Sequence, residues 1–151
     1  MPLIKFKKKI MDDQRLEEIT GQLVDIVAAA GSVILEVYET NFDVQTKSDD
    51  SPLTVADLSA HKVIDAGLQE LTPDIPIISE ESVPPSYAVR SQWQRYWLVD
   101  PLDGTKEFVN RNGEFTVNIA LIEGDTPIFG IVGVPFQGKI YVGNARKGEA
   151  Y

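Results

Sequence analysis

The sequence predicts an α+β fold: an antiparallel sheet with two long helices packed on it. Three observations point there. The first half carries apolar residues at helical spacing, the last third alternates at strand spacing, and the two kinds of element are segregated along the chain rather than interleaved. Segregated helices and strands favour helices on one face of an antiparallel sheet, whereas strict strand–helix alternation would favour a parallel one.

Residues 12–39 read as the first helix. Leu16, Ile19, Leu23, Ile26, Val27, Ala30 and Ile34 recur at three- and four-residue steps, which puts them on one face. Asp12, Asp13, Glu17 and Glu18 sit near its start, where the helix dipole favours acids. Residues 44–54, "VQTKSDDSPLT", suggest a short strand running into a polar turn, because Ser, Asp and Pro are turn formers. Thr54, with Asp57 three residues on, is expected to cap a second helix. That helix should run to about Leu71 with Val55, Leu58, Val63, Ile64 and Leu68 inward, and Pro73 should end it.

"IPIIS" at 75–79 reads as a short apolar strand closed by Glu80-Glu81-Ser82. Residues 83–95 read as a loop with a double proline, and "YWLVD" as the next strand, with Trp93 and Trp97 as packing residues. Strict alternation from Phe115 to Ile122 gives a further strand, and "PIFGIVGVP" and "GKIYVGNARKGEAY" complete an antiparallel meander. Its turns are marked by Gly124-Asp125 and Gln137-Gly138.

Composition bounds the function. The chain has 151 residues, 43% of them hydrophobic and 25% charged, enough for one domain with a core. A net charge of −9 argues against a nucleic-acid polymer as partner, because such binders carry basic footprints. It leaves room for a small anionic substrate held through a cation. The absence of cysteine excludes disulfides, thiolate zinc sites and a cysteine nucleophile. No apolar run is expected to be long enough to span a bilayer. The N-terminus lacks the apolar stretch of a secretory signal. Its Lys5, Lys7, Lys8 and Lys9 could touch an anionic membrane weakly, although a solvated extension is the simpler reading.

The chemistry gathers at residues 97–108, "WLVDPLDGTKEF". Glu80 ends one apolar strand, Asp100 ends the next, and Asp103 follows three residues later. If the two strands are neighbours, their carboxylates meet at one sheet edge. Converging carboxylates repel and are costly to desolvate. A hard divalent cation relieves both costs, and Mg²⁺ suits one or two carboxylates with waters and a phosphate. Pro101 has a fixed φ and no N–H, so it sets the direction of Asp100 relative to Asp103. The Leu102 carbonyl between them can serve as a ligand. Gly104 lets backbone approach a ligand. The N–H groups of Gly104 and Thr105 could open a helix at Lys106-Glu107-Phe108 and bind an anion. Asp-Pro-Leu-Asp-Gly-Thr also reads as a plain turn with a helix cap, and two carboxylates could be a glycosidase pair. Spacing alone leaves these readings open.

Taken together, "SEES" at 79–82 and "DPLDGTKEF" at 100–108 resemble the inositol monophosphatase superfamily of Mg²⁺-dependent, lithium-sensitive phosphatases. "SPLTVADLSAH" and "KEFVNRNGEFTVNIALIEG" look most like its 3′(2′),5′-bisphosphate nucleotidases of the CysQ type. The resemblance covers roughly residues 15–151. It implies the N-terminal half of a layered αβαβα fold: a basic extension at 1–11, then a metal-binding α+β domain at 12–151.

The resemblance also implies roles. Glu80, Asp100 and the Leu102 carbonyl would hold a first Mg²⁺, and Asp100 and Asp103 a second. Asp57 and Thr105 would orient and deprotonate the attacking water. Glu80, Leu102, Asp103, Gly104 and Thr105 would line the substrate phosphate. The substrate would be adenosine 3′,5′-bisphosphate, hydrolysed to AMP and phosphate in sulfur metabolism. An inositol monophosphatase-like activity is the alternative, and an inactive metal-binding fragment another. The resemblance further implies a cytoplasmic protein, with the lysines giving peripheral contact on the cytoplasmic side of the inner membrane, and it allows a homodimer.

Lys47 and the "KSDDSP" loop fall in the segment before Asp57, where Asp49 or Asp50 could help a further metal but read more simply as a solvated turn. His61, one turn after Asp57, could ligate metal but reads more simply as a structural histidine. The superfamily's later Trp-Asp motif is missing from these residues. The chain also stops at Tyr151 inside an apparent strand. Both features are expected of an N-terminal portion, and they put the second metal site in question.

Overall fold

The structure is a computed structural model that describes residues 11–40 and 51–151. Helix α1 runs Asp13–Tyr38 and α2 runs Pro52–Leu71. Strand β1 (Ile77–Ser79) follows, then the short α3 (Tyr87–Arg90), β2 (Arg95–Asp103), α4 (Thr105–Val109), β3 (Thr116–Glu123), β4 (Thr126–Val134), β5 (Lys139–Asn144) and β6 (Glu149–Ala150). The basic extension, the strand expected at residue 44, and Lys47, Asp49 and Asp50 lie outside the described residues.

The strands form one six-stranded sheet in chain order. From β2 to β6 every pair is antiparallel, as the meander predicts. The first pair differs: β1 runs parallel to β2, with Ser79 opposite Val99. The sheet is therefore mixed, because the chain from β1 crosses back through α3 before entering β2. A tight hairpin can join only antiparallel strands; a parallel pair needs a crossover.

Both long helices pack on one face of the sheet. α1 lies against β3, β4 and β5, and α2 against β1 and β2. Odd-numbered residues of the central strands, among them Trp97, Val99, Val117, Ile119, Leu121 and Ile131, point into this layer and are buried. Even-numbered neighbours such as Leu98, 44% exposed, line the opposite face. This is the period-two alternation of a sheet with one covered side.

The first helix keeps its expected face: Leu16, Ile19, Leu23, Val27, Ala30 and Ile34 are all buried. Asp12 caps it, its carboxylate accepting from the Arg15 N–H at 2.8 Å. By length and composition alone, an 18-residue stretch of α1 with a mean hydropathy of 1.5 meets the requirement for crossing a membrane, as core helices also can. The expectation that no segment reaches that length is thereby corrected. In this fold one face of α1 forms the core instead.

The second helix differs from its sequence reading at two points. Its cap is Ser51, not Thr54: Ser51 Oγ accepts the Thr54 N–H at 3.2 Å, and the two hydroxyls lie 2.9 Å apart. Pro52 then takes the first helical position, where its missing N–H costs nothing. The buried face is Leu53, Ala56, Ala60, Ile64 and Leu68, while Val55 is 43% exposed and Leu58 also faces outward. Two alanines and Gly67 let the helices come close. A Cβ at Gly67 would stand 2.7 Å from Ile26 Cγ1. Small residues therefore take the inward positions, and larger ones one step away are displaced. Ser51→Ala is expected to destabilise the domain by about 1 kcal/mol, read from urea unfolding followed by circular dichroism.

Candidate metal centre

The parallel pairing of β1 and β2 carries the site. Both strands end at the same sheet edge, so the residues that follow Ser79 and Val99 become neighbours. The Glu80 N–H bonds the Val99 carbonyl at 3.0 Å, which sets Glu80 beside Asp100. The two carboxyl groups lie close enough to act on each other. Burial is the main cause that pushes the Asp100 pKa up to about 6, followed by the charge and hydrogen bond of Glu80 and the charge of Asp103. A hydrogen bond from the Leu102 N–H to Asp100 Oδ1, at 3.2 Å, pulls it the other way.

Asp103 joins the group through a local irregularity. Residues three apart on a regular strand point to opposite faces. Here Asp100 pairs with Asn118 and Asp103 with Thr116, so β2 carries one residue more than β3 over the same interval. That is a β-bulge, which re-aims side chains. Pro101 sits within it, where no N–H is needed for the ladder. Leu102 turns inward and is buried, which fixes the bulge to the core.

Gly104 then adopts φ +88°, and a Cβ there would stand 2.9 Å from the Glu114 carbonyl oxygen. Both facts demand glycine. α4 begins immediately afterwards at Thr105, as the sequence predicts. It is anchored by buried Phe108, whose ring packs 5.3 Å from Tyr38 and 5.4 Å from Phe115 between centroids. Arg111 ties the same corner to the end of α1 by donating to the Tyr38 carbonyl at 2.8 Å. Of this cluster Phe108, Arg111 and Phe115 lie near the motif in sequence; Tyr38 joins it only through folding.

Asp57 lies on α2 and is only 3% exposed. α2 and α4, which carry Asp57 and Thr105, are in contact. Among the described residues no three carboxylate or imidazole groups surround a common point. The preformed part is the Glu80–Asp100 pair, with Asp103 close enough to act on it. This donor set fits a hard cation that keeps much of its water, since Mg²⁺ takes one or two carboxylates and completes its shell with solvent and phosphate. His61 is not at the carboxylates: its Nδ1 lies 2.9 Å from Ser79 Oγ. Trp97 is fully buried, with its indole N–H on Thr72 Oγ1 at 2.9 Å, and the Trp93 ring lies tilted against Tyr96 with centroids 6.3 Å apart. Both are packing residues, as predicted. On the uncovered sheet face, a groove of about 620 Å³ lined by Ile78, Leu98, Asn118 and Val132 runs up to Glu80 and Asp100.

The sequence profile of the inositol monophosphatase family matches residues 15–151. This chain belongs to the inositol monophosphatase family. Among its relatives within that family, the 3′(2′),5′-bisphosphate nucleotidase CysQ of Escherichia coli O6:H1 is 54% identical over 132 residues, which cover 86% of this chain and 52% of the relative. The protein of the same name from Buchnera aphidicola is 42% identical over 139 residues. The crystal structure of CysQ from Bacteroides thetaiotaomicron superposes with a TM-score of 0.80 at 45% identity, over 89% of this chain and 48% of that one. An inositol monophosphatase from Zymomonas mobilis gives 0.71 at 28% identity, over 86% and 48%. The chain thus spans about half the length of the family members it matches.

The raised Asp100 pKa has a measurable consequence in metal-free protein. A carboxyl whose folded pKa exceeds its unfolded value favours the folded state while protonated. That contribution is complete below 3.8 and is lost as pH rises through about 6. In EDTA, the contribution of this group to the melting temperature is expected to fall across that window. Added divalent cation should reverse the fall, because it stabilises the ionised pair.

Proposed function

We propose that this chain carries the metal- and phosphate-binding part of a Mg²⁺-dependent phosphatase that hydrolyses adenosine 3′,5′-bisphosphate to AMP and phosphate. The observation that supports this most is the Glu80–Asp100 pair at the shared end of two parallel strands, followed at once by the bulge and the Gly104 turn. The bisphosphate nucleotidase relatives support the choice of substrate.

In this reading Glu80, Asp100 and the Leu102 carbonyl would hold one Mg²⁺, and Asp100 and Asp103 would contribute to a second. Bound there, the ions would acidify a water and neutralise charge on the phosphate oxygens. The N–H groups of Gly104 and Thr105, with the rest of the 100–105 turn, would hold the phosphate of the bound nucleotide. Thr105 would orient the attacking water and Asp57 accept its proton. The water oxygen bonds to phosphorus, the bond from phosphorus to the nucleoside 3′ oxygen breaks, and that oxygen takes a proton from solvent. Positioning and charge neutralisation are the main demands of such a transfer. The cytoplasm, where such nucleotides occur, is the compartment that fits.

The test is phosphate release from adenosine 3′,5′-bisphosphate by the 151-residue chain, with and without Mg²⁺ and with inositol phosphate in parallel. Mg²⁺-dependent release from the nucleotide supports the proposal. Preference for inositol phosphate moves the assignment within the family. A folded chain that binds divalent cation without turnover is a metal-binding module that needs the remainder of its relatives' length.

A further inference from the structure

We infer that His61 is a positioning residue for the metal centre: through Ser79 it fixes the Glu80 turn to the helix that carries Asp57. The inference rests on the proposed metal site and adds a residue to it. Among the described residues β1 is an edge strand of only three residues, paired with β2 on one side. Its hydrogen bonds to β2 set the position of Glu80 along the strand but resist sideways movement weakly. α2 covers β1 from the helix layer, and the His61 side chain reaches it.

Ser79 is the hub. It is 3% exposed. Its hydroxyl lies 2.9 Å from His61 Nδ1 and accepts the Glu81 N–H at 3.3 Å. A hydroxyl offers one hydrogen and two lone pairs, so it can serve both partners together. The Ser79 carbonyl accepts from the Ser82 N–H and hydroxyl, each at 3.1 Å. The turn 79–82 is thereby closed on both sides of Glu80, and the His61–Ser79 bond connects it to α2. His61 is four residues after Asp57, so both lie on the same side of α2, one turn apart. The result is a bridge that couples the position of Glu80 to the position of Asp57. An ion or a water between them requires that separation to be held.

The experiment measures Mn²⁺ binding to the 151-residue chain, from the resonance signal of the free ion, together with the melting temperature in EDTA. His61→Ala and Ser79→Ala are each expected to weaken binding by roughly 3- to 10-fold, the span of one lost hydrogen bond. The double variant should be no weaker than Ser79→Ala alone, because removing the Ser79 hydroxyl already removes the bridge. His61→Asn should restore most of the affinity, since its amide reaches the place of Nδ1. Unchanged affinity in both single variants, with only a lower melting temperature, would show a merely structural histidine and overturn the inference. Additive losses, or no rescue by asparagine, would also overturn it. Ser79→Ala loses only one oxygen, so it reports even if a His61 variant fails to fold. If the wild-type chain binds no Mn²⁺, the metal-site reading fails together with this one. If it binds and the variants match it, this inference alone fails.

Discussion

Asp100→Asn is expected to reduce Mg²⁺-dependent phosphate release by at least about 100-fold while raising the melting temperature of the metal-free protein at pH 8. The two effects have one cause. Asp100 is held beside Glu80 and near Asp103, and its pKa is pushed up to about 6 by burial and by those charges. Above that value the folded chain carries adjacent negative groups in a partly desolvated place, which costs stability. Asparagine removes one charge and keeps nearly the same shape, so the repulsion disappears. In the proposed metal-centre reading it also removes a carboxylate that would serve as ligand, and a neutral amide is a poor ligand for a hard cation. A gain in stability with a loss of function is the usual signature of a site that stores unfavourable interactions. Thermal unfolding in EDTA and phosphate release with Mg²⁺ measure the two halves separately. A melting temperature that falls would show that the carboxylates are stabilising as they stand, and the metal-centre reading would lose its electrostatic basis.

Trp97→Ala is expected to cost about 3–5 kcal/mol, the range for removing a large aromatic residue from a core. Trp97 is 0% exposed and is the largest of the fully buried side chains. Its indole N–H bonds Thr72 Oγ1 at 2.9 Å, and the Thr72 hydroxyl in turn donates to the Leu68 carbonyl at 2.9 Å at the end of α2. The residue therefore joins β2 to the end of α2 as well as filling the layer between them. Domains are stable by only about 5–15 kcal/mol, so a large part of the total is removed. Trp97→Phe keeps most of the ring and should lose about 1 kcal/mol, for the hydrogen bond alone. Urea unfolding read by far-ultraviolet circular dichroism decides, because the fluorophore itself is changed. Equal losses for the two variants would mean that the hydrogen bond, not the packing, carries the effect.

Much of this fold is legible in the chain itself. The periodicity of residues 16–34 marks the buried face of α1, the alternation from Phe115 to Ile122 marks β3, and glycines mark the meander turns. These are local signals, set by helix and strand geometry and by the conformations that a side chain permits. The motif from Asp100 to Thr105 is legible for the same reason: its proline, its glycine and its two acids are contiguous. Ser51 and Thr54 are both good capping residues, and only the packed helix decides that Ser51 starts α2. Hydrophobicity alone ranks Val55 and Leu58 above Ala56 and Ala60 for the inward positions of α2, yet the alanines are the buried ones. The close approach of α1 reverses that order, since small side chains fit where large ones do not.

What the tertiary structure alone decided is the direction of β1. Nothing local distinguishes a short apolar strand that runs parallel to its neighbour from one that runs against it. With β1 antiparallel, Glu80 would lie at the far end of β2 from Asp100, and the acids would be unrelated surface charges. The crossover through residues 80–94 and the cover provided by α2 set β1 parallel. The chain itself determined which residues could hold an ion; the long-range pairing of Ser79 with Val99 decided that two of them meet, because proximity across a sheet depends on strand direction and register.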